Sequence, residues 1–292
     1  MHSPRLRKTA KGRPVPANWL FLRSPPEPIS LACGGACCFG NAMDRPFFAE
    51  LSTIARSAIA AELAGLVADN KAADGYDPVT EADRAAERAL RAAIAARFPD
   101  HGLAGEEYGV ERADAALRWS IDPVDGTRAL ICGLPSWAVL VGLLDRGRHI
   151  AGMIDLPALG ETLVAVGGET WRNGEPVRSS GCRSIAQARL STTDPTLFSA
   201  SELTAFDRVR GAARVTRYGL DALAYARIAT GDLDLVVESG LKSHDYDALV
   251  AIVRGAGGHI GDWHGGDDFA PGQVVAAASR ALYDEAVALL GA

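Results

Sequence analysis

Asp122-Pro123-Val124-Asp125-Gly126-Thr127 is the stretch on which the reading of this chain turns. It follows a strand-like apolar run, Leu117-Arg118-Trp119-Ser120-Ile121, and precedes a segment able to turn helical from Thr127. Two carboxylates three apart on a loop bent by proline and glycine can converge on one hard cation, which prefers oxygen ligands. Gly126 and Thr127, directly behind them, offer backbone N–H groups at a helix N-terminus, where a phosphate is held. A type I turn with Asp at its corners is the plain alternative.

Other carboxylates could complete such a site. Glu106 and Glu107 follow Gly105 in a loop after the second helix, and Asp245 opens a later helix. Asp83 closes Thr80-Glu81-Ala82-Asp83, which reads as a capping box. Each has a bland explanation, since acidic residues favour helix N-termini and solvated loops. Together they are more informative, because each sits at a loop or helix start, where the backbone can aim a side chain into a cleft.

Composition bounds the rest. The 292 residues are 48% hydrophobic, enough to bury a large core, and no apolar run reaches the roughly 18 residues that span a bilayer. A soluble globular protein is expected. Residues 1–42 carry Arg5, Arg7, Lys8, Lys11, Arg13 and Arg23 against Glu27 alone, so they hold +5 of a total of −6 and leave −11 for the body. An acidic body argues against nucleic-acid binding, which wants a basic face. The prefix is rich in Pro and Arg, lacks helical or strand periodicity, and contains no compact apolar segment of a secretory signal. It reads as a disordered basic extension, or as translated upstream sequence with Met43 the natural start. Cys33, Cys37 and Cys38 lie in that prefix without a histidine at zinc-finger spacing, and only Cys132 and Cys182 remain in the body. That pattern excludes a disulfide framework and predicts a cytoplasmic protein.

From Met43 the chain alternates helices and strands. Phe47, Phe48, Leu51, Ile54, Ala55, Ala58, Ile59, Leu63 and Leu66 recur at helical spacing, and a second helix is predicted from Glu81 to Phe98, opened by Thr80. Trp137–Leu144, Ile150–Leu156 and Thr162–Val166 read as an antiparallel meander joined by Asp145-Arg146-Gly147 and Pro157-Ala158-Leu159-Gly160. Strands are predicted at Arg189–Thr192, Leu233–Glu238 and Val274–Ala278, and helices at Leu220–Thr230, Asp245–Gly255 and the C-terminus. The class is α+β in layers, with one domain over residues 43–292.

Gly105-Glu106-Glu107, Trp119 to Thr127, and Asp245 followed twelve residues on by Gly257-Gly258 resemble the signatures of the inositol monophosphatase superfamily, magnesium-dependent and lithium-sensitive phosphatases. The resemblance runs from about residue 44 to 290. Asp77-Pro78-Val79-Thr80-Glu81-Ala82-Asp83 is similar to the family's upstream acidic segment. Ile154–Gly160, Trp171–Gly174, Ser191–Pro195 and Gly240–Asp247 most resemble the histidinol-phosphate phosphatase branch. The chain departs from that branch at Ser243-His244, where proline and an aromatic residue are usual, and at Leu220, where glycine is.

The resemblance implies a layered αβαβα sandwich, a homodimer, and two or three Mg²⁺ per site, with Mn²⁺ able to substitute. It implies one Mg²⁺ on Glu106, Asp122 and the Val124 carbonyl, a second on Asp122, Asp125 and Asp245, and a weaker third near Glu106 that carries the nucleophile. Asp83 would orient Thr127, Thr127 would take a hydrogen bond from the attacking water, and Asp125, Gly126 and Thr127 would hold the phosphate. Counting back from Asp245 places Glu238 and Asp221 in the substrate pocket beside it, although Asp221 is also a natural helix N-terminal residue. The implied activity is hydrolysis of L-histidinol phosphate in histidine biosynthesis, with inositol 1-phosphate or another small phosphorylated metabolite as the alternative. A non-catalytic phosphate-binding protein on the same scaffold is the competing class. It would show itself by a missing carboxylate, and all are present.

Overall fold

The apolar positions spaced at helical intervals after Met43 fold as α1 (Arg45–Glu62), which buries Phe47, Phe48, Leu51, Ala55 and Ile59 along one side. The computed structural model describes residues 45–71 and 78–292. The reading of residues 1–42 and Asp77 of the upstream acidic segment lie outside the described residues. After α1 the chain forms β1 (Ala68–Asn70), β2 (Pro78–Thr80) and α2 (Glu81–Arg97), then β3 (Gly102–Gly105), β4 (Gly109–Glu111), β5 (Leu117–Asp125) and the short α3 (Thr127–Cys132). The meander follows as β6 (Ala138–Asp145), β7 (Arg148–Leu156), β8 (Glu161–Val166), β9 (Glu169–Arg172) and β10 (Glu175–Pro176). The second half contains β11 (Arg189–Thr192), α4 (Ala200–Ala212), β12 (Val215–Tyr218), α5 (Ala222–Ala229), β13 (Leu235–Glu238), α6 (Ser243–Gly255), β14 (His259–Gly261), β15 (Val274–Ala277) and α7 (Arg280–Leu290).

Two large sheets result. One has eight strands in the order β10-β9-β8-β7-β6-β5-β3-β4, and the other five in the order β12-β11-β13-β15-β14. The first is antiparallel except where β3 runs parallel to β5. Side chains alternate between the two faces of a strand, and the core follows that alternation. Val139, Val141 and Leu143 of β6 join α1 and α2 in one apolar layer, while Ala138 and Leu140 join α5 and α6 in the next. Val236, Val274 and Ala276 close that middle layer from the five-stranded sheet, and Leu235, Val237, Val275 and Ala277 on its far side pack against α4 and α7. The order of layers is therefore helix, sheet, helix, sheet, helix, the αβαβα sandwich expected.

The sequence reading placed β6, β7, β8, β11, β13 and β15 within two residues of their positions, and gave no element for β9, β10 or β14. It gave no element for residues 200–218, where α4 and β12 form. Helix α4 has a weak apolar stripe of Ala205, Phe206 and Val209, and a Ser199–Glu202 capping box fixes its start instead. Helix α6 begins at Ser243, two residues before Asp245, so Asp245 lies inside the first turn.

Candidate active site

Strand β5 does not end at Ile121, as its apolar run suggests, but continues through the acidic stretch to Asp125. Residues three apart on a regular strand point to opposite faces. Here Asp122 pairs with Leu140 and Asp125 with Ala138, so three steps on β5 match two on β6. The extra residue is a β-bulge that returns Asp125 to the face of Asp122. Because Leu140 and Ala138 face the middle helical layer, both carboxylates do as well. A bulged strand, rather than a loop, makes them converge.

Helices α5 and α6 present their N-termini to this point, and partial positive charge there favours anions. Asp125 Oδ2 accepts from Ala222 N at 2.7 Å and so caps α5, while Asp221, at the capping position itself, makes no such bond. Asp245 Oδ2 accepts from Lys242 N at 2.6 Å, capping α6 and leaving its other oxygen for the cleft. Oxygens of Asp122, Asp125 and Asp245 lie within 4.8 Å of one another. Asp122 is 2% exposed. Burial first, then the charges of Glu106, Asp125 and Asp245, push its carboxyl well above the usual range. Asp125 is raised well up by burial, Asp221 and Asp245, and Asp245 is raised mainly by burial. Mutually repelling oxygens with raised pKa values suit a hard divalent cation.

The structure does not bring the Glu106 oxygens into that triad. Glu106 Oε1 and Glu107 Oε1 instead bind Lys71 Nζ at 2.8 and 2.7 Å. Burial works against the ammonium, but the two carboxylates outweigh it and raise its pKa. Lys71 was not read as part of the site: it lies twelve residues before Asp83 in a segment without periodicity, and nothing local marks it.

Asp83 makes the contacts of a helix cap and also reaches Thr127. Its Oδ2 accepts from Thr80 N at 2.9 Å and Thr80 Oγ1 at 2.5 Å, which closes the capping box of α2. Its Oδ1 accepts from Thr127 Oγ1 at 3.2 Å. The Thr127 hydroxyl also lies 3.0 Å from Val124 O. Gly126 has φ 78°, and a Cβ there would approach Asp221 Oδ2 to 3.0 Å, so both conformation and space call for glycine.

A cavity of about 240 Å³ opens beside the triad, lined by Asp125, Asp221, Tyr225, Glu238, His244 and Asp245 among others. Glu238 ends β13 and is 5% exposed. Its Oε1 accepts from Thr193 N at 3.0 Å and Thr193 Oγ1 at 2.5 Å, and its Oε2 from Tyr225 Oη at 2.8 Å. Burial pushes Glu238 up to about 7 and Asp221 up to about 6. Thr193 and Tyr225 had no role in the sequence reading. Tyr225 was legible, because it follows Asp221 by four residues and shares its helix face. Three histidines are held away from the triad: His101 Nδ1 accepts from Trp119 Nε1 at 3.0 Å, His149 meets Asp247 at 2.9 Å, and His259 packs on Tyr283.

Clustered carboxylates at converging helix N-termini, beside a cavity, offer the oxygen ligands that hard cations prefer. A profile of the inositol monophosphatase family matches residues 44–291, and the chain belongs to that family. The bifunctional phosphatase IMPL2 of Arabidopsis thaliana is 44% identical over 195 residues, covering 66% of this chain; the chain spans only 56% of that protein's length. A histidinol-phosphatase of Chlorobaculum parvum is 34% identical, covering 73% of this chain and 83% of its own. An inositol monophosphatase structure from Zymomonas mobilis superposes with TM-score 0.75 at 38% identity, covering 83% of this chain and 95% of that one. Enzymes of this family depend on metal ions, typically Mg²⁺, and the acidic triad suits that requirement. Among the described residues no helix is long and apolar enough to cross a membrane.

Proposed function

We propose that this chain is an Mg²⁺-dependent phosphomonoesterase whose substrate is L-histidinol phosphate. The observation that carries the substrate reading is the pair of buried carboxylates, Asp221 and Glu238, in the cavity beside the triad. Both are raised by burial, so a cation entering the cavity would relieve them. Histidinol phosphate brings an ammonium group and an imidazole able to protonate, whereas inositol phosphate offers neutral hydroxyls. A charge-assisted hydrogen bond contributes about 1.5–3 kcal/mol, roughly ten- to a hundredfold in discrimination. The Chlorobaculum relative, named a histidinol-phosphatase, supports the same reading.

Asp122, Asp125, Asp245 and the Val124 carbonyl would hold Mg²⁺, with Glu106 joining once its carboxylate leaves Lys71. Bound there, Mg²⁺ or Mn²⁺ would activate water and neutralise the charge on the departing alkoxide. The remaining steps belong to the chain. Asp83, fixed by Thr80, accepts a hydrogen bond from the Thr127 hydroxyl, which would leave the Thr127 oxygen free to accept one from the attacking water. The N–H groups of Gly126 and Thr127, at the start of α3, would hold the phosphate oxygens with Asp125 beside them. Asp245 lines the same cavity and would border the leaving group.

The Zymomonas structure, at 38% identity, favours a second reading, inositol 1-phosphate. Phosphate release from both esters, with and without Mg²⁺, separates the two. The expected result is a higher kcat/KM for L-histidinol phosphate, lowered selectively by Asp221→Asn or Glu238→Gln. Equal or faster turnover of inositol 1-phosphate overturns the assignment.

A further inference from the structure

We propose that Glu87 is a positioning residue for Glu106, and that one face of α2 sets both arms of the site from a single rigid element. The proposal rests on the reading of Glu106 as a cation ligand. Asp83, Glu87 and Arg91 follow one another at intervals of four on α2 and so share a face. All three are buried, Asp83 and Glu87 completely. Asp83 reaches Thr127, as described above. One turn further on, Glu87 Oε2 accepts from Glu107 N at 2.7 Å, and Oε1 accepts from Tyr108 N at 3.2 Å and Arg91 Nε at 2.7 Å. Arg91 then donates to Glu111 Oε1 at 3.0 Å and to the carbonyl of Gly109.

The turn between β3 and β4, which carries Glu106, therefore hangs on α2. On its other side, Glu106 N donates to Ile121 O at 3.2 Å, tying the same residue to β5 one position before Asp122. Gly105 belongs to the arrangement, since a Cβ there would overlap the Glu87 carboxylate. A buried ion pair such as Glu87–Arg91 is generally no more stabilising than an apolar pair of similar volume. Holding the two N–H groups that follow Glu106 is what a carboxylate does here and an apolar side chain does not. The sequence carries the signal as Asp83-x-x-x-Glu87-x-x-x-Arg91, although periodicity alone reads it as a solvated helix face.

Mn²⁺ binding to the purified full chain, followed by the electron paramagnetic resonance of free Mn²⁺, tests the proposal without reference to turnover. Glu87→Gln leaves one acceptor oxygen for three donors, two of them backbone N–H groups. It is expected to weaken one class of Mn²⁺ site about ten- to a hundredfold, as loss of a hydrogen bond that orients a ligand does. Glu106→Gln should weaken the same class. The Mg²⁺ concentration for half-activation should rise more than kcat at saturating Mg²⁺ falls. Should Glu87→Gln fail to fold, Gly105→Ala displaces the carboxylate without removing its charge, and adding Glu87→Asp makes room for the new methyl group. The double variant is then expected to bind Mn²⁺ more tightly than Gly105→Ala alone. Wild-type Mn²⁺ binding by folded Glu87→Gln, beside weakened binding by Glu106→Gln, overturns the positioning role while leaving the ligand reading intact. A double variant no better than Gly105→Ala also overturns it. Unchanged binding in Glu106→Gln refutes the ligand reading and this proposal with it.

Discussion

Replacing Asp122 by asparagine should stabilise the metal-free protein while abolishing its activity. Oxygens of Asp122, Asp125 and Asp245 approach within 4.8 Å of one another, and two full charges at that separation repel by about 3.5 kcal/mol at an effective dielectric constant of ~20. Protonation already relieves part of this, because burial and the neighbouring charges raise the Asp122 and Asp125 carboxyls well up. A net relief of ~1–2 kcal/mol is left, equivalent to about 2–6 °C in melting temperature for a domain of this size. Asparagine keeps the oxygen that accepts from Val124 N at 3.0 Å, and its amide can donate to the carboxylates left behind. Adding Mg²⁺ should reverse the order. The wild type gains ~2.7 kcal/mol at a hundredfold excess over its dissociation constant, and the variant much less. Thermal melts in EDTA and in Mg²⁺, beside phosphate release falling by several orders of magnitude, make the measurement. The reasoning is refuted if Asp122→Asn melts below the wild type in EDTA, or if Mg²⁺ stabilises both proteins equally.

Thr127→Ala should lower kcat about 10²–10⁴-fold and Thr127→Ser far less, because only the hydroxyl shared with Asp83 is at stake; similar losses in both would refute that role of the hydroxyl. Gly126→Ala pays ~1–2 kcal/mol of left-handed strain and crowds Asp221, so both melting temperature and turnover should fall; wild-type values would show that the loop has another conformation to use. Asp221 and Glu238 titrate in the folded protein at about 6 and about 7, above their unfolded values, so their contribution to stability is complete below about pH 4 and is lost as pH rises through 6 to 7. In EDTA the melting-temperature difference between wild type and the Asp221→Asn/Glu238→Gln double variant should therefore widen from pH 5.5 to pH 8 in the variant's favour; a difference that stays constant with pH contradicts the burial argument.

Local chemistry made much of this protein legible. Helical spacing placed α1, and the Thr80–Asp83 capping box fixed the start of α2 to the residue. Apolar runs punctuated by Asp145-Arg146-Gly147 and Pro157–Gly160 marked the meander, because strand length and turn residues are properties of neighbours in the chain. The carboxylates were visible by type and by their places at element ends. Tertiary structure decided which of them meet. The bulge that turns Asp125 toward Asp122 depends on the pairing of β5 with β6, and the capping of α5 by Asp125 instead of Asp221 depends on a contact across 97 residues. Lys71 reaching Glu106, and Glu87 holding the turn behind it, are contacts across 35 and 20 residues of chain. A sequence displays spacing along the chain, whereas a site is made by distances across it, and those are set only when the layers close.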